Sequence, residues 1–302
     1  MSTDPVIHRF GHHAMATVFE VLIADEESAF AAQAAQAAFD EVDRLEQDLS
    51  RYRPNSDITR INNLPAGGTA QVSADTFACL QLAQLYWRKT GGAFDITMGA
   101  LMDCWIAPDK SLFTPTDAEI AGAAARCGMD LLTLDESTHT VRIGDHVPCI
   151  DPGAIGKGYA VDVCLDLLLE WGVDAAFMHG GTSTAAGYGR AWPVTASSFM
   201  HPERVAREMM LDGMALSGSG IRKGRHIIDP RTCRPVAGRN AAWVCLPSAT
   251  ASDALSTALM VMTADEIAAL ATALGEMRAL VMEPGEGPEG ERVISYGWES
   301  AS

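Results

Sequence analysis

Apolar positions recur at two different periods along this chain, and the changes of period mark its elements. The run Ala16 to Ala24 (ATVFEVLIA) is short and rich in β-formers, which predicts a strand. From Glu26 to Ser50 the period lengthens: Ala31, Ala35, Ala38, Val42, Leu45 and Leu49 fall on one face of a long amphipathic helix. Arg51 to Asn63 is a polar loop with a short helical turn after Pro54. Ser73 can cap a second helix that ends at Gly91-Gly92. Thr116 and Glu119 make a capping box for a third, closed by Gly128. Leu131 to Leu134 and Thr140 to Ile143 predict a hairpin around Ser137, and Val147 to Asp151 a further strand. A helix is expected over Tyr159 to Trp171. A strand over Ala175 to Met178 then leads into His179-Gly180-Gly181. Met209 to Ile228 reads as strand, loop, strand, and Ala241 to Leu246 as a strand. Helices over Ser252 to Met262 and Ala264 to Leu274 follow, then a strand over Arg278 to Met282 and a Gly/Pro/Glu loop from Pro284 to Glu291. Strands and helices come in mixed order, which favours α+β, with mixed and largely antiparallel sheets packed against helices, over a doubly wound parallel sheet.

Composition narrows the partners. The 302 residues show no internal repeat and no separating linker, so one domain over 1–302, or two intimately packed subdomains, is expected. With 39 acidic against 22 basic residues the net charge is −17. Such a surface repels nucleic acid and anionic membranes, and an anionic ligand needs a metal or a few placed cations to be held. The seven cysteines are scattered, with no CxxC pair, as expected of buried thiols in a reducing compartment. Met1 to Phe10 has no apolar run resembling a signal peptide or lipoprotein signal, and no stretch of about 18 apolar residues occurs, so a cytoplasmic protein without a membrane span is expected.

Three segments carry candidate chemistry. Asp253 and Thr257 stand four residues apart, on one face of a helix, and offer a carboxylate and a hydroxyl to a hard cation. The bland alternative makes Ser252 an N-cap with Asp253 in the first turn. Ile150 to Ala160 ends a strand, passes three glycines and starts a helix with Lys157 near its N-terminus, a geometry that suits phosphate or a plain tight turn. It has neither Walker A nor Rossmann spacing. His226-Ile227-Ile228-Asp229-Pro230-Arg231-Thr232 offers a histidine able to accept a hydroxyl proton, with Asp229 either orienting it or starting the turn at Pro230. Two weaker segments remain: Gly91 to Thr97 ends a helix and starts an extended run, and His179 to Ser183 is open to a ligand at its backbone; each alone reads first as plain turn chemistry.

Taken in order, these segments resemble the ApbE family of FAD:protein FMN transferases. Met15-Ala16-Thr17 is similar to the family's MGT, and Arg51 to Ser56 with Asn62 to its YRPxS…N stretch. Ala93 to Thr97 matches xFDxT, Asp151 to Asp162 the D-x-G-x-x-x-KGYAxD pattern, His226 to Thr232 HIIDPRTG, and Asp253 to Thr257 DAxxT. Cys233 stands where the family usually has Gly, and His179 where it usually has Asn. The resemblance implies an ApbE-like, T-fold-like architecture. It implies Mg²⁺ held by Asp253, Thr257 and the Ala154 carbonyl, with the Ser256 carbonyl as a further ligand. FAD, the substrate, would be contacted by Met15, Tyr52, Ala93, Phe94, Asp95, Asp151, Lys157 and the region of His226 and Ile227. The implied reaction moves FMN from FAD to a Ser or Thr of an acceptor protein and releases AMP, with His226 as base and Asp229 orienting it. A Mg²⁺-dependent FAD pyrophosphatase and a non-catalytic FAD-binding protein are the alternatives.

Overall fold

A computed structural model describes residues 6–107, 111–198, 200–221, 227–285 and 290–298. The chain begins with a hairpin of β1 (Ile7–Ala14) and β2 (Thr17–Ala24), whose register closes on Ala14 opposite Thr17. The long amphipathic stripe forms α1 (Ser28–Leu49) and buries the residues of its apolar face. Then come α2 (Asp57–Asn62), β3 (Thr69–Gln71), α3 (Ala74–Lys89), α4 (Gly99–Trp105) and α5 (Asp117–Ala124). Ser73 caps α3 and the Thr116–Glu119 capping box starts α5, as the sequence predicts. The hairpin of β4 (Leu132–Asp135) and β5 (Thr140–Ile143) pairs with β3 in a small sheet.

The second half supplies the centre of the molecule. In order it runs α6 (Gly156–Glu170), β6 (Ala176–Gly180), β7 (Thr184–Tyr188), β8 (Trp192–Ser197), β9 (Val205–Leu211) and β10 (Met214–Gly220). The short hairpin β11 (Ile228–Asp229) and β12 (Arg234–Pro235) precedes β13 (Ala241–Leu246), α7 (Ala249–Leu259), α8 (Ala264–Leu274), β14 (Arg278–Pro284) and β15 (Glu291–Tyr296). Eight strands form one open antiparallel sheet in the order β1-β2-β6-β7-β10-β13-β14-β15. Alternation along each strand sends side chains to two cores. Phe19, Val21, Ile23, Ala176, Met178, Ala242 and Val244 pack with α1, α6 and α7. Phe177, Trp243, Cys245, Leu280 and Met282 pack under the β8–β9 hairpin with Trp192 and Leu211. The class is α+β, as the mixed element order predicts.

Val147 to Asp151 is not a strand. Pro148 has no amide to give a ladder, and the segment makes one isolated bridge, Met98 to Cys149. Ile150 is held instead by a side chain: its amide donates to Asn62 Oδ1 at 2.7 Å and its carbonyl accepts from Asn62 Nδ2 at 3.0 Å. The strand expected at the end of Met209 to Ile228 stops at Gly220, and residues 222–226 lie outside the described ones. β1 carries no clear sequence signal because His8 and His12 occupy two of its inward positions. His12 there stacks on Phe39 of α1 and lies 2.8 Å from Asp43.

Candidate active site

Helices α6 and α7 pass each other in opposite directions, and two carboxylates tie them together. Asp253 of α7 accepts the Gly158 amide of α6 at 3.1 Å through Oδ2. Asp162 of α6 accepts the first amides of α7, from Ala249 at 2.7 Å and Thr250 at 2.9 Å. Close approach requires Gly158: a Cβ there collides with the Ala249 carbonyl and lies 2.8 Å from the Asp253 Cβ. The N-cap of α7 is Ser248, not Ser252, so Asp253 sits in the helix interior and the cap reading of that residue fails. Asp253 is only 2% exposed. A carboxylate so buried needs partners, and it has them: Lys157 Nζ lies 3.5 Å from Oδ2, and Thr184 Oγ1 donates to Oδ1 at 3.3 Å. The positive end of α6 adds to the same field. One turn on, Thr257 Oγ1 lies 2.9 Å from Ser219 Oγ of β10.

The glycine-rich turn faces this pair. Asp151 caps a 3₁₀ turn over Pro152–Ala154 by accepting the Gly153 amide at 2.9 Å, while its other oxygen meets Arg51 at 3.1 Å. Arg51 also pairs with Asp103 at 2.7 Å, and its guanidinium lies 5.1 Å from the ring centre of Tyr52. Lys157 reaches back to the Gly153 carbonyl at 3.4 Å. Its ammonium thus lies between a carboxylate and a carbonyl, the donor types a hard cation takes. The donors around it are all oxygen, with a single carboxylate, a set that fits a hard divalent ion whose shell is completed by phosphate.

These elements wall a cavity of about 760 Å³, within the range of ligand pockets. Met15 and Ala16 enter it from the β1–β2 turn, and Tyr52, 78% exposed, stands at its edge. Asp95 lines another part. Burial pushes its carboxyl up to about 6, against the opposing hydrogen bonds from the Thr97 amide and hydroxyl at 2.7 and 2.6 Å.

The ApbE family model matches residues 15–281. The chain belongs to the ApbE family. A Vibrio cholerae protein called FAD:protein FMN transferase is 30% identical over 255 residues, spanning 77% of this chain and 75% of that protein. A Salmonella typhimurium protein of the same name is 27% identical over 292 residues, spanning 90% and 83%. The crystal structure of the Pseudomonas stutzeri flavinyl transferase ApbE, in its apo form, superposes with a TM-score of 0.84 at 26% identity, covering 97% of this chain and 95% of that one. The Thermotoga maritima ApbE protein shares the fold, with a TM-score of 0.85 at 22% identity.

The ApbE motifs converge unevenly on the cavity. Met15, Tyr52, Asp95, Asp151 and Lys157 line it. Ala154, Ile227, Asp253 and Thr257 do so as well. Ala93 and Phe94 are buried in the core beneath Asp95, the Phe94 amide donating to Thr90 Oγ1 at 3.0 Å. Ser256 is buried one layer behind the wall, its hydroxyl 2.9 Å from Ser219 Oγ and from the Asp253 carbonyl. Asp229 serves the turn before Pro230: it accepts the Arg231 amide at 2.9 Å and pairs with the Arg231 guanidinium at 3.3 Å. His226 lies outside the described residues. Sequence reasoning overlooked Arg51, Thr184, Ser219 and Asp162 as separate contributors. Arg51 and Asp162 stand inside the quoted motifs, and Ser219 in the run Ser217-Gly218-Ser219-Gly220, but nothing local names their partners, which are 37 to 100 residues away.

Proposed function

We propose that this chain is a Mg²⁺-dependent FAD:protein FMN transferase that esterifies a Ser or Thr of an acceptor protein and releases AMP. The observation that carries the reading is the convergence of Asp253, Thr257, Lys157 and the 152–154 turn on one wall of a cavity of about 760 Å³ in a chain of this family. Asp253, Thr257 and the Ala154 carbonyl, with the Ser256 carbonyl behind them, would hold Mg²⁺. The ion, when bound, stabilises charge growing on the pyrophosphate oxygens. Lys157 adds a placed cation at the same phosphates. Tyr52 and Met15 offer apolar surface to the rings of FAD, and Asp95, Asp151 and Ile227 contact the rest. The acceptor hydroxyl attacks the FMN-side phosphorus, a new P–O bond forms, and the bond to AMP breaks. The hydroxyl proton passes to His226. Asp229, which accepts the Arg231 amide and pairs with its guanidinium, would orient His226.

Purified protein, FAD, Mg²⁺ and a candidate acceptor test the reading together. Covalent flavin fluorescence on the acceptor band, with AMP released in equal amount, is expected. FMN and AMP formed without acceptor labelling indicate a pyrophosphatase, and intact FAD after long incubation indicates a binding protein. Asp253→Ala is expected to abolish metal-dependent turnover, a loss of at least about 100-fold by the standards of transition-state charge stabilisation. Unchanged turnover in that variant, with Mg²⁺ the only metal present, removes Asp253 from the site.

A further inference from the structure

We propose that Asp162 is a positioning residue whose carboxylate, by capping α7 from α6, fixes where Asp253 and Thr257 stand relative to Lys157 and the 152–154 turn; this rests on the reading of Asp253 and Thr257 as cation ligands. Asp162 stands about one helical turn along α6 from Lys157 and Gly158 and does not line the cavity. Four donors converge on it, all from the start of α7. Oδ1 accepts the Ala249 amide at 2.7 Å. Oδ2 accepts the Ser248 hydroxyl at 2.7 Å, the Thr250 amide at 2.9 Å and the Thr250 hydroxyl at 2.6 Å. The Ala251 amide goes to Ser248 Oγ at 3.1 Å. The first three amides of α7 are therefore all satisfied, two of them by a residue 87 or 88 positions earlier in the chain.

The arrangement is reciprocal. Asp162 caps α7, and Asp253 of α7 in turn accepts the Gly158 amide in the first turn of α6. Each helix holds first-turn amides of the other, which have no partner within their own helix, with a charged group, and the two clasps lie one turn apart on both helices. Two clasps fix both the sliding and the rotation of α7 on α6. One alone, Asp253 to Gly158, leaves α7 free to pivot, and that clasp uses an oxygen of the carboxylate that is needed for the cation. Asp162 thus carries the register and leaves Asp253 available to a ligand. Loss of a group hydrogen-bonded directly to a ligand costs about 10- to 100-fold in metal affinity in other sites, and Asp162, one turn removed from Asp253, is expected at the lower end of that range.

The test is direct Mn²⁺ binding in the presence of FAD, read from the electron paramagnetic resonance signal of free Mn²⁺, at a temperature where every variant is folded. Asp162→Ala is expected to bind Mn²⁺ at least about tenfold more weakly than the unmodified protein. Thr116→Ala removes the side-chain cap of α5 and controls for general destabilisation. It is expected to lower the melting temperature and leave Mn²⁺ affinity unchanged. Thr250→Val keeps the amide and removes one donor to Asp162, and it is expected to weaken binding less, in the same direction. It also keeps the question answerable if Asp162→Ala fails to fold. Unmodified affinity in both Asp162→Ala and Thr250→Val overturns the positioning role while leaving the cation site intact. Absence of Mn²⁺ binding in the unmodified protein removes the cation site, and the positioning role with it.

Discussion

The turn between β1 and β2 holds two consecutive non-glycine residues in the left-handed region, Met15 at φ 48° and Ala16 at φ 56°. A two-residue hairpin loop with positive φ at both positions favours Asn-Gly, and each L-residue there costs about 1 kcal/mol. Cys233, at φ 57°, closes the turn after Asp229 with its amide on the Asp229 carbonyl. The motifs that Met15–Thr17 and His226–Cys233 resemble, MGT and HIIDPRTG, carry glycine at the Ala16 and Cys233 positions. Ala16→Gly and Cys233→Gly are each expected to raise the free energy of unfolding by about 0.5–1 kcal/mol, seen as a higher urea midpoint at constant slope; a lower midpoint would mean that the lost methyl or thiol packing outweighs the strain. Asp95 supplies a pH signature. Its carboxyl titrates near about 6 in the fold against about 4 when unfolded, so the native state keeps the proton longer. The stability it contributes is fully present below about pH 4 and is lost as pH rises through about 6. The stability of the unmodified protein minus that of Asp95→Asn should therefore fall by on the order of 2–3 kcal/mol between pH 4 and 7, and a flat difference would refute the shift. At this scale the residue types of the candidate site were legible: Asp253, Thr257, Lys157 and Asp151 were singled out and line one cavity. Their partners were not, because Thr184, Ser219 and Arg51 meet them only through tertiary contacts.

The crossing of α6 and α7 decides the geometry of the phosphate wall, and a glycine permits it. Gly158→Ala drives a methyl into the Ala249 carbonyl and toward Asp253. A loss of about 1–3 kcal/mol in stability is expected, together with weaker metal binding, because the hydrogen bond to Asp253 must lengthen. Gly156→Ala, one residue into the same helix, meets nothing nearer than the Pro152 Cβ at 3.9 Å and is expected to keep both stability and metal binding. Equal effects of the two substitutions would show that helix propensity, not close packing, sets the cost. Elements with a strong local signature were readable: the apolar stripe of α1, the capping box of α5 and the continuous apolar run of β13 all stand where the sequence predicts. Elements whose partners lie far off were not. β1 hides its period behind inward histidines, Val147 to Asp151 has strand-like residues but is held by Asn62, and α7 begins at Ala249, after the Ser248 cap, because Asp162 holds its first amides. In each case a contact made by the folded chain overrode a local preference.

At the scale of the whole molecule the charge of −17 opposes the proposed substrate. The cavity itself does not offset that field: Arg51, Arg53 and Lys157 face four carboxyl groups, Glu46, Asp95, Asp151 and Asp253, in its lining. All three cations are already committed, Arg51 to Asp103 and Asp151, Arg53 to Glu46, and Lys157 to Asp253. An anionic pyrophosphate approaching the metal-free protein is therefore expected to meet net repulsion, which a divalent ion at Asp253 would reverse locally. Linkage makes the consequence reciprocal: if Mg²⁺ tightens FAD by some factor, FAD must tighten Mg²⁺ by the same factor. Titration of FAD with and without Mg²⁺, and of Mg²⁺ with and without FAD, is expected to give matching factors of about tenfold or more, within the usual coupling range. The kinetics should carry the sign of the global field as well. With chelator present, the association rate of FAD is expected to rise with added salt, because screening beyond about 10 Å at 0.1 M ionic strength removes long-range repulsion more than it weakens contacts inside the cavity. With saturating Mg²⁺ that rise should shrink. A metal-free association rate that falls with salt would mean that Arg51, Arg53 and Lys157 dominate the approach, and that the surface charge of this chain plays no part in making the reaction depend on metal.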